Sequence, residues 1–565
     1  MAWSRRTFLR STGLAGAGAA VGGLSAVLDG CAVAQHYDVI ITGGTVIDGT
    51  GAPPVIADVA IAGDRIVKIG PVRGTGTTTV DASGKIVCPG FIDIHSHTDL
   101  SLLVNPRAES KIRQGVTTEV AGQDGSSLAP LTEDRLKSLQ EGYGRRYGVD
   151  IEWTDFTGLF NTLEQQGIGV NFMSLAGQGT IRGYVVGNEN VPAGARQIDS
   201  MKALVDQAMS EGAWGLSSGL EYTPGSFADE DEIAELCRVA AGYNGFYATH
   251  MRNEDDYLIE AVSEAISTAG KAEISLQIAH FKASGRRNLE KVSVAFDMIE
   301  QAVDEGMEIT LDRYPYIAYA TTLQNLFPTR FRSGGAEAFV ARLQAPDSLP
   351  LMKRAAIEKV DMLGDWSAVM ITSVARAENQ DYVGRRVSEI VADSGQDPFE
   401  FVRELLIAEN GSVGMVGFGM SEEEIRSVLT HPLVMVASDG GAAADYGPLS
   451  ETTPHPRFYG TFPRVLGKYC RDDRLFDLPV AVHKMTGMPA RRLGLSDRGT
   501  IDVGLVADLV VFDPETVIDR ADFMNPHQYA QGIDCVLVNG SVAVEKGEHT
   551  GALAGRVLRK QTGAA

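Results

Sequence analysis

The chain has 565 residues, a formal net charge of −23, 44 % hydrophobic residues and 22 % charged residues. This composition is typical of a globular protein, and the length allows several domains or one large barrel with attached units. Such an acidic surface repels phosphate backbones and anionic lipid headgroups, which disfavours binding to nucleic acid or to a membrane surface. The five cysteines show no CxxC spacing, which argues against a disulfide framework or a zinc ribbon.

The N-terminal segment 1–34 has the features of an export signal. Arg5 and Arg6 precede an apolar run rich in Gly and Ala, and small residues follow it. This order indicates a twin-arginine signal peptide, and the run is shorter than the ~20 residues that a membrane span requires. We predict cleavage after Ala34 and a periplasmic or extracellular location. Lipid attachment at Cys31 is the alternative.

Segments 35–90 and 486–565, at opposite ends of the chain, share one sequence pattern. Both contain short apolar runs separated by Gly and Asp, which is typical of antiparallel strands. Asn539 and Gly540 form a hairpin signal between two such runs. We therefore predict a small β-sandwich domain assembled from both termini.

Residues 91–485 alternate between short apolar runs, such as 170–175 and 274–279, and segments with helical spacing of apolar residues, such as 255–269. This alternation predicts βα units and a parallel sheet, and the length allows a (β/α)8 TIM-like barrel. Residues 320–366 interrupt this alternation of strands and helices, because they contain prolines and a helix of their own. They are predicted to form a small inserted subdomain.

Five polar residues each follow an apolar run at the end of a predicted strand. His95 and His97 follow the first run and point to one side of an extended chain, while His250, His280 and Asp439 close three other runs. Each of them alone is most simply a satisfied buried polar group. Barrel enzymes, however, place catalytic groups at the carboxyl ends of strands, and imidazole is a common zinc ligand. Together the five residues predict a metal centre.

Several longer motifs lie at these positions, in the segments 89–97, 249–252, 280–282, 438–440 and 455–464. These motifs and the split β-domain resemble the amidohydrolase superfamily, and within it the N-acyl-D-amino-acid deacylase (D-aminoacylase) family. The resemblance covers nearly the whole mature chain. It implies one or two zinc ions (Zn2+) and hydrolysis of the linear amide of an N-acyl-D-amino acid, and the preference for the D form rests on it alone.

Two positions depart from the family pattern. Family members usually carry a metal-bridging cysteine where this chain has Asp124, and a histidine where it has Gln178. A carboxylate can bind or bridge zinc through oxygen, whereas a turn role beside Gly125 is the alternative for Asp124. The resemblance thus implies a main zinc site and a second, weaker one, with the ligands His250, His280 and Asp124 in the first and His95 and His97 in the second.

The resemblance also implies roles in catalysis and substrate binding. Asp439 is expected to take the proton from the attacking water and pass it to the leaving amine nitrogen. Lys282 lies in strand phase with His280 and is expected to bind the α-carboxylate of the substrate. Tyr222 and Tyr314 match family positions near the carboxylate and the carbonyl. A solvated lysine and packed aromatic rings are the alternatives.

Two classes of function remain beside the deacylase. One is another amide hydrolase of the superfamily, either a dipeptidase for peptides with a C-terminal D-residue or a cyclic-amide hydrolase. The other is a non-catalytic exported binding protein on the same barrel, which the complete set of five strand-end residues argues against. The expected partner is a small-molecule substrate, an N-acyl amino acid for the deacylase or a dipeptide for the dipeptidase.

Overall fold

The structure is a computed structural model, and it describes residues 35–561. The predicted signal peptide and Cys31 lie outside the described residues. Among the helices within this range, none is both long enough and apolar enough to cross a membrane.

The chain begins with the N-terminal part of the β-domain. Its strands are β1 (Gln35–Val46), β2 (Val55–Ala62), β3 (Arg65–Ile69), β4 (Gly74–Asp81) and β5 (Ile86–Pro89). The expectation of a purely antiparallel sheet is wrong, because β1 is antiparallel to β2 but parallel to both β4 and β5. An irregularity between Ile41 and Gly44 divides β1, so that its first part pairs with β4 and its end pairs with β5.

The barrel follows directly. Its first strands are β6 (Phe91–Asp93), β7 (Val116–Ala121), β8 (Asn171–Ser174), β9 (Ala176–Gly177), β10 (Gly215–Gly219), β11 (Phe246–His250), β12 (Ser275–Ile278) and β13 (Ile309–Arg313). Paired neighbours run parallel, and β8 and β9 are separated by a single residue and share one position in the barrel.

Amphipathic helices cover the outside of these strands. The main ones are Phe156–Gln166, Gln178–Val185, Ala195–Ser210, Glu230–Ala241, Leu258–Ala272 and Lys291–Asp304, and shorter ones lie in the loops at Ser101–Val104, Glu109–Ile112, Glu133–Leu139 and Arg145–Tyr147. Asp229 caps the fourth main helix by accepting a hydrogen bond from the Glu232 amide. Their buried residues recur at helical spacing, as the sequence predicted.

An inserted subdomain separates β13 from the last barrel strand. It contains an antiparallel sheet of β14 (Tyr319–Thr322), β15 (Val369–Ser373) and β16 (Gly414–Gly417), with helices Gly335–Gln344, Leu349–Leu363, Val387–Ser394 and Pro398–Ala408. The predicted end near residue 366 is wrong. One hydrophobic core runs from Leu323 to Met415, and strands and helices alternate after residue 366 much as they do in the barrel.

The last strand closes the barrel. After helix Glu422–Thr430, β17 (Val434–Val436) pairs in parallel with β13, and a parallel bridge between Ser96 and Gly440 joins it to the chain after β6. Eight strand positions therefore form a closed parallel ring, and the predicted TIM-like barrel is confirmed. Three more α-helices follow, at Arg457–Arg464, Leu478–Met485 and Gly487–Leu493.

The C-terminal strands complete the β-domain. They are β18 (Leu509–Phe512), β19 (Ile533–Val538), β20 (Ser541–Glu545) and β21 (Glu548–His549). Because β18 is antiparallel to both β5 and β19, the two ends of the chain form one nine-stranded sheet. Side chains from both parts pack in one core, and the tight turn at Asn539 and Gly540 has positive φ at both residues, as the sequence predicted.

Candidate metal centre

The predicted ligands meet at the carboxyl ends of the barrel strands. They fall into two groups in which one ligand atom from each residue lies within 4.8 Å of the others: His95, His97, Asp124 and Asp439 in one group, and Asp124, His250 and His280 in the other. They follow or end strands β6, β7, β11, β12 and β17. Because the strands are parallel, all of these ends lie on one face of the barrel.

Asp124 lies at the centre of the cluster. Its Oδ2 atom is 3.4 Å from His97 Nε2, 3.6 Å from His250 Nδ1 and 3.5 Å from His280 Nε2. Its Oδ1 atom is 3.5 Å from Nε2 of His95. The carboxylate therefore faces imidazoles of both groups, one oxygen toward His95 and the other toward the remaining three.

The donor atoms fit a bound cation. Nε2 of His95 and Oδ1 of Asp124 are buried and have no hydrogen-bond partner. His250 Nδ1 and His280 Nε2 lie 2.9 Å apart and face one another. Buried polar atoms normally find a partner, so converging unpaired nitrogen and oxygen atoms indicate a place for an ion. Imidazole nitrogen and carboxylate oxygen are ligands that zinc accepts in proteins.

The backbone at the cluster adopts a conformation that side chains other than glycine seldom take. Asp124, His280 and Asp439 have φ values of 54°, 34° and 49°. Such residues concentrate at functional sites, where the surrounding structure holds them in place. At Asp124 the loops approach closely: a Cβ atom on Gly219 would lie 2.0 Å from the Asp124 carbonyl oxygen. Only glycine at position 219 allows this approach.

Two buried carboxylates support the ligands from behind. Asp312 Oδ1 lies 3.4 Å from His95 Nδ1 and accepts a hydrogen bond of 2.8 Å from the His280 amide. Glu254 Oε1 lies 2.9 Å from the Nδ1 atom of His280. Carboxylates in this position fix the orientation of an imidazole and raise its basicity as a ligand.

Asp439 combines a ligand position with a position suited to proton transfer. Its Oδ1 atom lies 3.1 Å from Nε2 of His97, and its Oδ2 atom lies 2.7 Å from Arg457. Burial would raise the pKa of Asp439, but Arg457 and the nearby imidazoles hold it well below its usual range. The carboxylate is therefore ionised at neutral pH and can accept a proton.

The electrostatics of the histidines point to a site built for positive charge. Burial disfavours protonation of His97, but Asp124 and Asp439 outweigh it and raise the pKa of His97 to about 10. Burial acts in the same direction on His250, where Glu254 and Asp124 raise the pKa to about 10. In the metal-free protein these imidazoles therefore carry protons at neutral pH. Their positive charge balances the carboxylates, as the charge of a bound metal ion would.

A second buried charge cluster holds the strand ends together. Lys111 Nζ lies 2.7 Å from Asp93 Oδ2 and 3.2 Å from Glu119 Oε1, and all three side chains have no exposed surface. Lys111 also donates to the Gly440 carbonyl at 2.7 Å, and Asp93 accepts from the Ser438 amide at 2.9 Å. These contacts connect β6 and β7 to the segment that carries Asp439.

The two groups of predicted ligands border a cavity of about 1060 Å³, and residues of the insert line one side of it. Lys282 lines this cavity, and its Nζ atom lies 2.5 Å from Glu254. Tyr222 also lines it, with its ring centroid 4.8 Å from that of His250 and its hydroxyl 3.3 Å from Thr321.

The position of Tyr314 differs from the predicted one, which was near the carboxylate and the carbonyl of the substrate. Its side chain is fully buried and packs against Lys282 and Arg457, with the Arg457 guanidinium 4.7 Å from the ring centroid. It does not border the cavity, because these two cations lie along the cavity wall themselves. Its hydroxyl is buried without a hydrogen-bond partner.

Five further residues of the site were not predicted from the sequence: Asp312, Glu254, Glu221, Lys359 and Arg457. Asp312 lies one residue before the end of an apolar strand, close to where the predicted ligands lie on theirs, so a similar signal could have found it. Arg457 belongs to the family-like motif at 455–464, which by itself assigns it no role. Glu221, 3.7 Å from His250 Nε2, and Lys359, on an insert helix, had no such signal.

Comparison with known proteins identifies the family. A model described as "Amidohydrolase family" matches residues 78–544. The chain belongs to the amidohydrolase family. The D-aminoacylase of Alcaligenes xylosoxydans xylosoxydans is 35 % identical to this amidohydrolase over 531 residues, which are 93 % of this chain and 98 % of the relative. The N-acyl-D-aspartate deacylase of the same organism is 35 % identical over 521 residues, 91 % and 93 % of the two chains.

A solved structure of a deacylase is also similar to this chain. The N-acyl-D-glutamate deacylase of Bordetella bronchiseptica, in complex with zinc and a phosphonate inhibitor, is 32 % identical, with a TM-score of 0.77 over 93 % of this chain and all of the other. The resemblance found in the sequence is confirmed. Of the two departures, Asp124 lies within the metal centre, whereas Gln178 is buried and does not line the cavity of this amidohydrolase.

Proposed function

We propose that this amidohydrolase uses zinc to hydrolyse N-acyl-D-amino acids to a carboxylate and a D-amino acid. The observation that carries the proposal is the convergence of four imidazoles and two carboxylates at the strand ends, beside two buried cations, Lys282 and Arg457, that line the cavity. The deacylases described above resemble the chain over more than nine-tenths of its length. The reaction cleaves a linear amide rather than a peptide bond.

The residues that would hold zinc come from the two groups. His250, His280 and Asp124 would hold one ion, and His95 and His97, with Asp124, would offer a second position. When bound, zinc polarises a carbonyl group and lowers the pKa of a water molecule to about 7. Because each group offers at least three donors, the site accommodates one or two ions.

Asp439 moves the proton that the reaction requires. The oxygen of water attacks the acyl carbon, the carbon–nitrogen bond breaks, and the amine leaves only if its nitrogen gains a proton. The ionised Asp439 carboxylate takes one proton from the water and delivers it to that nitrogen. Arg457, 2.7 Å from its Oδ2 atom, keeps the carboxylate charged and oriented toward the cavity.

Cationic side chains bind the substrate carboxylate. Lys282 is buried and ionised, because Glu254 outweighs the cost of its burial and raises its pKa. Charge-assisted hydrogen bonds from Lys282, with Arg457 nearby, recognise the α-carboxylate. Tyr222 donates from its hydroxyl to the region of the scissile carbonyl. Tyr314 supports the two cations through its ring.

The test is hydrolysis of a substrate panel with the zinc content of the same samples. N-acetyl-D-amino acids should be cleaved in preference to their L counterparts, to dipeptides with a C-terminal D-residue and to hydantoins. Asp124→Ala should lose zinc and activity together, whereas the exposed Asp304→Ala should retain both. Cleavage of the dipeptides or hydantoins with no action on N-acyl-D-amino acids would reject the proposal.

We also propose export of the folded, zinc-loaded enzyme by the twin-arginine route. Arg5 and Arg6 before an apolar run, and the small residues that follow it up to Ala34, support the proposal. Replacing both arginines by lysine should leave the protein in the cytoplasm. Unchanged export of that variant would speak against the twin-arginine route.

A further inference from the structure

One wall of the cavity serves neither the metal centre nor the carboxylate-binding cations. It consists of Leu128, Leu131, Leu139 and Tyr143, all from the segment that follows β7, and we call it the β7 wall. Leu131 is buried, and the other three are half-buried, with part of each side chain facing the cavity. The wall is thus an apolar, mostly half-buried surface that borders the cavity.

Polar residues of the same segment form the outer rim. Asp134, Arg135 and Ser138 lie on the same short helix as Leu139, and they are exposed and border the cavity. Small-molecule sites combine such an apolar lining with a few polar groups. The arrangement indicates a surface that contacts an apolar part of a ligand.

The position of the β7 wall in the barrel assigns it to one end of the substrate. In the closed ring of strands, β7 lies opposite β12, with three strand positions between them on either side. Lys282 follows β12, and the metal ligands occupy the middle of the mouth. A substrate with its α-carboxylate at Lys282 and its scissile carbonyl at the metal centre therefore directs its acyl group toward β7.

We infer that the β7 wall binds the acyl chain and that the enzyme prefers extended apolar acyl groups to acetyl. This inference rests on the proposed function. The cavity of about 1060 Å³ lies just above the usual range for small-molecule sites, roughly 300–1,000 Å³, and is much larger than an N-acetyl amino acid requires. Methylene groups placed against the wall leave water, which favours the longer chain.

The first experiment is a chain-length series with the zinc-loaded enzyme. The substrates are N-acetyl-, N-butanoyl-, N-hexanoyl- and N-octanoyl-D-alanine, whose small side chain does not compete for apolar surface. We expect kcat/KM to rise by about fourfold for each methylene group that the wall buries. A series that is flat or falls from acetyl to octanoyl overturns the inference, but hydrolysis of the acetyl compound still supports the proposed function.

A matched pair of variants locates the effect. Leu139→Asn places a polar group in the wall, whereas Leu136→Asn changes a half-buried leucine of the same helix that does not border the cavity. The octanoyl-to-acetyl ratio of kcat/KM should fall by roughly tenfold in the first variant and stay unchanged in the second.

Two other outcomes separate the possible failures. If Leu139→Asn leaves the acyl ratio unchanged but lowers the preference for N-acetyl-D-leucine over N-acetyl-D-alanine, the wall binds the amino-acid side chain and the inference is wrong. If the zinc-loaded wild type cleaves none of the N-acyl-D-amino acids, the proposed function itself fails.

Discussion

The backbone amide of Asp439 donates a hydrogen bond of 2.9 Å to the carbonyl oxygen of His95. These residues are 344 positions apart in the chain, and the same strand ends are joined by the bridge between Ser96 and Gly440. The contact that closes the barrel is thus also the contact that places the Asp439 carboxylate beside His95, the first of the predicted metal ligands. The same contact therefore closes the barrel and brings these two residues of the site together.

Asp439→Asn tests the proton-transfer role. The amide cannot take a proton from water, so kcat should fall by roughly 10²–10⁴-fold while KM changes little. Steady-state kinetics on an N-acyl-D-amino acid, with zinc content measured in parallel, gives the result. Asp304→Asn, at an exposed helix end, is the control. A kcat near that of the wild type would exclude Asp439 as the base.

Zinc binding should release protons. With their pKa values raised to about 10, His97 and His250 carry protons in the metal-free protein at pH 7.5, and each must lose its proton to bind a metal. The apparent zinc affinity should therefore increase from pH 6 to pH 8. Calorimetric titration in two buffers with different ionisation enthalpies measures the release. Identical heats in both buffers would contradict it.

Asp124→Ala tests the shared ligand through stability rather than activity. Zinc binds only the folded protein, so at 100 times its dissociation constant it should stabilise the wild type by about 2.7 kcal/mol. Because Asp124 faces both groups of ligands, its removal should abolish most of this stabilisation. Melting temperatures with and without added zinc are compared with those of Asp304→Ala. An equal zinc-dependent shift in both variants would show that Asp124 is not a ligand.

Lys111→Met tests the buried charge cluster. Removing this lysine leaves Asp93 and Glu119 buried without a cation, which should lower the free energy of unfolding by roughly 3–5 kcal/mol. Lys85→Met breaks a half-exposed pair with Asp534 and should cost less than about 1 kcal/mol. Denaturant unfolding of the two variants gives the comparison. Similar losses in both variants would mean that the buried cluster contributes no more to the free energy of unfolding than the half-exposed pair does.

The sequence predicted the barrel and the ligands through one local signal, a polar residue at the end of an apolar run. His95, His250, His280 and Asp439 all carry it, and parallel strands bring such ends to the same face. The signal fails where a residue reaches the site from a loop or from the insert. Glu254 lies in the loop after β11, and Lys359 lies on an insert helix that looks like any other amphipathic helix.

Local patterning by itself therefore determined the types of element, the parallel sheet and four strand-end residues of the candidate metal centre, His95, His250, His280 and Asp439, because hydrophobic periodicity and strand ends are short-range properties. Tertiary structure decided which groups surround those ligands. Asp312 behind His95, Arg457 beside Asp439 and the burial of Tyr314 depend on the packing of distant segments. Such neighbourhoods form only when the barrel closes and the insert covers its mouth, so no local stretch of sequence specifies them.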